Sequence, residues 1–316
     1  MRIVMMGTGP FAVPVFRALV ESEHDVPALF TQPSRGKPGS TENPTRSAAE
    51  ALGVEIIAEA DVNETPVRER LQSLAADLLV VCDFGQILSA DTLGASRLGG
   101  INLHGSYLPK YRGAAPIQWA LYNGDATTGV SVIHMTPRLD AGPCLVQTEE
   151  SITADDDAVS LELRLSQLGV AAVFESIAKL HSWNGSDSIG SSQDKRLATR
   201  APRLKKSDGR IDWRRTAEEI DRQRRAFTPW PGTFTFVPRS KGDPVRVIID
   251  SSAALCDAST DATPGTVIRA EKDQLHVACG DESVLTIYAV QPAGKRPMDV
   301  AEYLRGRPLA VADQLS

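Results

Sequence analysis

Along the first 125 residues, short apolar runs alternate with stretches of helical spacing. Residues 3–6 form an apolar run that stops at Gly7, and Phe11, Val15, Phe16, Leu19 and Val20 then fall on one helical side. The same order recurs: strand-like 26–30 and helix-like 44–52, strand-like 54–57 and helix-like 64–74. Two further strand-like runs follow, at 78–81 and 100–103. Strands that are apolar throughout, rather than at every second position, are covered on both faces. Alternation with helices therefore predicts a mostly parallel sheet with right-handed crossovers, an α/β fold of Rossmann-like type.

The pattern changes after residue 125. Residues 127–135 and 144–148 are β-type, and 159–180 carry one apolar stripe, Leu161, Leu165, Leu168, Val173 and Ile177, as a long helix would. The stretch 181–193, HSWNGSDSIGSSQ, has no period and reads as connector. Beyond it, a helix over 216–225 precedes five short strand-like runs at 234–237, 245–249, 265–269, 275–278 and 284–290. That count fits a small OB-type β-barrel. The expected organisation is a Rossmann-like domain over 1–188, a linker over 189–206 and a smaller OB-type barrel domain over 207–316.

Composition excludes little. Hydrophobic residues make up 42% and charged residues 23% of 316, enough for a large core. No run approaches the length of a membrane span, and the N-terminus lacks the apolar stretch and cleavage site of a signal peptide. The expectation is a cytoplasmic protein without membrane partner. Cys82, Cys144, Cys256 and Cys279 show no metal or redox spacing. Cys82 and Cys144 sit in apolar runs and read as buried thiols. The net charge of −6 argues against indiscriminate nucleic-acid binding, yet residues 203–225 hold nine Lys/Arg against five Asp/Glu. Such a local excess of +4 suits phosphate contacts, or a solvated helix face with paired charges.

Gly7-Thr-Gly9-Pro-Phe-Ala12 matches the G-x-G-x-x-A turn that brings a dinucleotide pyrophosphate to a helix N-terminus. An oxidoreductase is therefore one alternative. The acidic residue expected about 20 positions on is missing, because the second strand runs into Phe30-Thr31-Gln32-Pro33. Pro10 also removes a backbone donor from the turn. A tight strand-to-helix turn accounts for the same glycines.

The richer stretch is 99–119, GGINLHGSYLPKYRGAAPIQW. Asn102 and His104 lie two apart at the end of a strand, so they project to one face, at the carboxyl end of the sheet where such folds bind ligands. Downstream, Asp140 precedes Gly142 after a β-rich segment; alone it reads as an Asx-turn residue. Together the three suit acyl transfer. Asn offers an amide to a developing oxyanion, His moves a proton at neutral pH, and a carboxylate holds the His tautomer. An amine acceptor makes a covalent nucleophile unnecessary.

These residues resemble the folate-dependent formyltransferase family. Its pattern of Asn-x-His, a Ser-Leu-Leu-Pro-x-Tyr/Trp-Arg-Gly-Ala-x-Pro loop and Met-x-x-x-x-Asp-x-Gly is met by Asn102-Leu-His104, by Ser106 through Gly113 to Pro116, and by Met135 through Asp140 to Gly142. The resemblance implies 10-formyltetrahydrofolate as co-substrate, with no metal. It makes Asn102, His104 and Asp140 catalytic, and Ser106, Tyr107, Leu108 and Pro109 contacts to the folate. Phe84, Gln86, Ile87 and Leu88 resemble the segment lining the pteridine pocket.

The second half, from Leu204 through Asp212-Trp213 and Trp230 to Gly232, resembles the branch that formylates initiator methionyl-tRNA. Sugar-amine formyltransferases are the nearest rival branch. The methionyl-tRNA branch implies RNA contacts for Lys205, Lys206 and Arg210, and for Arg35 and Lys37 in a loop shorter than the family's. No obligate protein partner is implied. Trp213 and Trp230 suit base stacking or domain packing. Arg138 stands where the family usually has Gly.

Overall fold

The computed structural model describes residues 1–33, 43–239, 242–255, 258–271, 273–306 and 309–316. Two compact units emerge. The first comprises residues 1–117, 126–153 and 160–203; the second comprises 118–125, 154–159 and 204–316. In chain order the elements up to residue 201 are β1 (Ile3–Gly7), α1 (Val13–Val20), β2 (Ala28–Thr31), α2 (Pro44–Leu52), β3 (Glu55–Ala58), α3 (Thr65–Ser73), β4 (Leu78–Cys82), α4 (Ala90–Leu93), β5 (Gly100–His104), β6 (Arg112–Gly113), α5 (Pro116–Asn123), β7 (Thr127–His134), β8 (Cys144–Ser151), α6 (Ala158–His181) and β9 (Arg200–Ala201). After them come α7 (Ala217–Ala226), β10 (Phe234–Val237), β11 (Val245–Leu255), β12 (Val267–Glu271), β13 (Gln274–Ala278), β14 (Val284–Pro292), β15 (Met298–Asp299) and α8 (Val300–Gly306).

The first unit is built on a seven-stranded sheet in the order β3-β2-β1-β4-β5-β7-β8. Strands β1 to β5 pair parallel, while β7 and β8 run antiparallel to their neighbours. The expected α/β architecture is present. All five residues of β1 and all five of β4 are buried, as runs without polar alternation require. One face of the sheet packs Val4, Met6, Phe30, Leu71, Leu79 and Val81 into a single cluster. The order reverses direction between β1 and β4, which leaves a crevice at the carboxyl ends of β1, β4 and β5.

Helical spacing over 11–20 resolves into a short 3-10 turn, Pro10–Ala12, followed by α1. Pro10 and Pro14 sit in the first turns, where a missing N–H costs least. Helix α2 starts in the same way. The Asn43 side chain accepts the Arg46 N–H, Pro44 opens the helix, and Gly53 ends it at φ 70°.

The second unit carries an antiparallel sheet in the order β10-β11-β14-β13-β12, with β15 on β14. Its core holds Trp213, Ile220, Val247, Val277, Leu285 and Ile287. The two edges β10 and β12 are linked through the chain's last residues. Phe236 and Ser316 exchange both backbone hydrogen bonds, and Val267 N–H donates to the Asp313 carbonyl while Leu315 N–H donates to that of Gly265. Residues 313–316 thus stand where a closing strand would. Helix α7 begins with a reciprocal cap, Thr216 Oγ1 accepting from Glu219 N and Glu219 Oε2 from Thr216 N.

Candidate active site

Strand β5 presents the first two candidate residues. Leu103 between them is buried against α6, where Gly169 leaves room: a Cβ there would come 2.4 Å from a Leu103 methyl. Asn102 and His104 consequently share the opposite face. Asp140 arrives on the turn between β7 and β8. The structure brings all three together. Asp140 Oδ1 accepts from Asn102 Nδ2 at 3.5 Å, and Asp140 Oδ2 lies 3.9 Å from His104 Nδ1. Oδ2 also accepts the Gly113 N–H at 2.8 Å.

His104 is buried, and its Nε2 lies 2.8 Å from the Tyr111 carbonyl oxygen. A carbonyl can only accept, so Nε2 carries the proton. In neutral His104 the free lone pair is then on Nδ1, which faces Asp140. The 3.9 Å gap is too long for a direct hydrogen bond.

Two non-glycine residues here have left-handed backbones, Tyr111 at φ 64° and Asp140 at φ 47°. Such conformations persist where surrounding structure imposes them, and they concentrate at functional sites. In both cases the partner is a stretch that composition marks as connector. The Thr199 hydroxyl accepts the Tyr111 N–H at 2.8 Å. Gln193 Nε2 donates to the carbonyls of Asp140 at 2.9 Å and of Gly142 at 2.7 Å. Gln193 Oε1 accepts from Nε and Nη2 of Arg112. Ser191 pairs with Cys144, and β9 pairs with β6. Residues 191–201 thus form a strap along the site. Sequence reasoning missed Gln193, Thr199, Arg112 and Tyr111 as supports. Gln193 and Thr199 lie in a polar, aperiodic stretch, so no local signal singles them out.

The eight residues expected to meet folate divide. Ile87 and Tyr107 are exposed, at 61% and 45%, while Phe84, Leu88, Ser106 and Leu108 are buried. Gln86 spends its amide on the backbone, accepting from Val62 N and donating to the Glu59 carbonyl. Ser106 Oγ donates to the Lys110 carbonyl. Both therefore shape their loops. Pro109 is half-buried and its carbonyl accepts the Thr199 N–H.

The glycine turn after β1 has another use than phosphate binding. The N–H groups of Thr8 and Gly9 both donate to the Asp83 carbonyl. A Cβ on Gly9 would fall 1.7 Å from Asp83 Oδ2, so the glycine makes room for that carboxyl. Asp83 is exposed by area at the rim, but its carboxyl is packed against Gly9. Desolvation, then the Glu162 charge, push its pKa up to about 7. Burial likewise pushes the thiol of Cys144 up to about 11 and that of Cys279 up to about 12. Cys82 is fully buried and also raised. Such thiols are poor nucleophiles. Cys256 lies outside the described residues.

In the second unit, Lys205, Lys206 and Arg210 are exposed, and the Arg210 guanidinium lies over the Phe236 ring, 5.5 Å from its centroid. Within the basic stretch, Arg214, Arg215, Arg222, Arg224 and Arg225 are ion-paired to neighbouring carboxylates. Among the described residues, no ion pair holds Arg203, Lys205, Lys206 or Arg210. Trp213 is buried and donates to Thr235 Oγ1, which makes it a core residue, whereas Trp230 is 54% exposed. Arg138 is exposed, two residues from Asp140. Arg35 and Lys37 lie outside the described residues.

Residues 1–177 match the family model described as formyl transferase, and residues 203–308 match its C-terminal domain. The chain belongs to the formyl transferase family. Formyl transfer is therefore its chemistry. Among curated family members, a methionyl-tRNA formyltransferase of Rhodopirellula baltica is 44% identical over 328 residues, an alignment covering 100% of this chain and 96% of that one. One from Methylococcus capsulatus is 40% identical over 314 residues, covering 98% of each chain. Among solved structures, HypX from Aquifex aeolicus, crystallised with tetrahydrofolic acid, shares the formyltransferase fold. Its TM-score is 0.66 at 14% identity, covering 100% of this chain and 50% of that one. No helix among the described residues is long and apolar enough to cross a membrane.

Proposed function

We propose that this family member moves the formyl group of 10-formyltetrahydrofolate to the α-amine of methionyl-tRNA, with Asn102, His104 and Asp140 as its working residues. The observation that carries the assignment is the convergence of these three side chains at the carboxyl edge of the sheet, in a chain alignable end to end with methionyl-tRNA formyltransferases.

The chemistry follows from what each group can still do. Asn102 retains an amide N–H for the oxyanion that forms when the amine attacks the formyl carbon. The attacking amine must lose one proton, and the departing folate nitrogen must gain one. Asp140 and Nδ1 of His104 face each other across 3.9 Å and bracket that exchange. A proton taken up by this pair from the amine is returned to the leaving nitrogen, with no net change in the enzyme. The Tyr111 carbonyl keeps the ring in the orientation that turns Nδ1 inward. The exposed apolar side chains of Ile87 and Tyr107 suit contact with a flat heteroaromatic ring. The side chains of Lys205, Lys206 and Arg210, held in no ion pair among the described residues, suit RNA phosphates.

An acceptor screen tests the assignment. The purified protein is given 10-formyltetrahydrofolate and either methionyl-tRNA, uncharged tRNA or a nucleotide-linked amino sugar. Formylation of methionyl-tRNA alone is expected. Activity confined to the amino sugar would move the chain to another branch of the family.

A further inference from the structure

The two supports of the catalytic pair share an unusual property. The His104 ring is fixed by the carbonyl of Tyr111, and the proton-accepting carboxylate belongs to Asp140. Both Tyr111 and Asp140 are left-handed non-glycine residues, and both are tied to the strap of residues 191–201. Gln193 makes the tie at Asp140. Its two amide hydrogens reach the carbonyls on either side of the turn, those of Asp140 and Gly142. Its oxygen accepts from two nitrogens of Arg112. Arg112 is the neighbour of Tyr111, and its own N–H donates to the Thr199 carbonyl. One carboxamide therefore joins the turn that bears Asp140 to the loop that orients His104.

We propose that Gln193 is a positioning residue for formyl transfer: by clamping the Asp140–Gly142 turn to Arg112, it sets the separation of Asp140 from His104. The inference rests on the roles given above to Asp140 and His104. Neither substrate needs to touch Gln193 for it to act. A structural residue would influence folding alone; a positioning residue influences turnover through Asp140.

Two substitutions separate its bonds. Gln193→Met keeps the length of the side chain and removes every hydrogen bond. Gln193→Glu keeps the acceptor for Arg112 but sets an oxygen against the two carbonyls. Each is made in the full chain with Asp140 intact and again beside Asp140→Asn, and steady-state turnover and thermal midpoint are measured. A displacement of about 1 Å at a reacting group lowers turnover by on the order of 10²-fold. Both variants should therefore lose roughly 10- to 100-fold in kcat, with KM for either substrate within about twofold. Beside Asp140→Asn, neither should lower the residual kcat further, because the group it positions is already lost.

Wild-type kcat in a folded Gln193→Met variant would overturn the inference, as would an equal loss in both backgrounds or a loss confined to the thermal midpoint. Full turnover by Asp140→Asn alone would remove the reading of the site and the inference with it. Loss of turnover in Asp140→Asn beside normal turnover in Gln193→Met would remove the inference alone.

Discussion

Strand β5 and the strap of residues 191–201 both serve the same site, and they are opposite in kind. The strand is written in apolar residues: Ile101 and Leu103 are buried, and the alternation aims Asn102 and His104 together. In the strap, Gln193 is half-buried, while Ser191 and Thr199 are exposed. Its contribution is hydrogen bonds, mostly to backbone atoms of the loops and strands around the site and, through Gln193, to the Arg112 guanidinium. Hydrophobic periodicity reports which side chains leave water; it is silent about which polar groups bond across the fold. In the proposed reading, the strand delivers the reactive groups and the strap, bonded to the Asp140 turn and the Tyr111 loop, holds them at their distances.

The contrast can be broken by substitution. The largest effect on rate is expected at the end of β5. His104→Ala should lower turnover about 10²- to 10⁴-fold with the fold retained, as removal of a general acid–base group does. A folded variant with near-normal turnover would end the assignment of His104. Next comes Leu103→Ala on the same strand, which removes a buried side chain packed on α6. It should destabilise the protein by roughly 2–5 kcal/mol, read by denaturant unfolding.

Thr199→Val on the strap should do the reverse. It takes the acceptor from the Tyr111 N–H and should cost about 1–3 kcal/mol at most, with turnover falling about tenfold. If Thr199→Val proved as destabilising as Leu103→Ala and left kcat unchanged, the strap would be ordinary scaffold.

The smallest effect belongs to Asp83, at the end of β4. Its folded pKa of about 7 lies above its ordinary value. The folded state therefore holds the proton more tightly than the unfolded chain. The resulting stability is complete below the ordinary carboxylate range and is lost as pH rises through about 7. Asp83→Asn should therefore raise the thermal midpoint relative to the parent at pH 8 and not at pH 4. Because the residue is partly open to solvent, the gain should be only a degree or two. Equal midpoints for the two proteins at both values would contradict the packed environment of the carboxyl.

What the sequence shows and what it hides divide along the same line. Runs such as Leu78–Cys82 are apolar because both faces are covered, so the parallel sheet can be read without coordinates. Strands β7 and β8 are also visible as β-type runs, though not in their antiparallel direction; Val130, Val132 and Ile133 of β7 are buried. Asn102 and His104 are legible as a pair because strand geometry dictates their common direction. Their approach to Asp140 is not, because it depends on where a turn 38 residues away returns.

Gly7 and Gly9 show a different limit. Their spacing fits a phosphate turn or a tight strand-to-helix turn, and the amides of Thr8 and Gly9 serve the Asp83 carbonyl, as the tight turn requires. Glycine spacing records a close approach without naming what approaches. The roles expected for Gln86 and Ser106 suffer the same ambiguity: side chains able to bond a ligand are equally able to bond a neighbouring loop.

The closure of the second sheet by residues 313–316 has a consequence for how that unit forms. Thr235 Oγ1 donates to the carbonyl of Ser316 across 81 positions of chain, and the bonds of Phe236 span nearly as many. Loop closure over such separations is slow compared with hairpin formation. β12 and β13, neighbours in sequence and paired antiparallel, can pair early. The ring they belong to cannot close until residues 313–316 reach back to β10 and β12. Its completion should therefore be a late, concerted event, separable in refolding experiments from formation of the parallel sheet, whose strands are all present by residue 104.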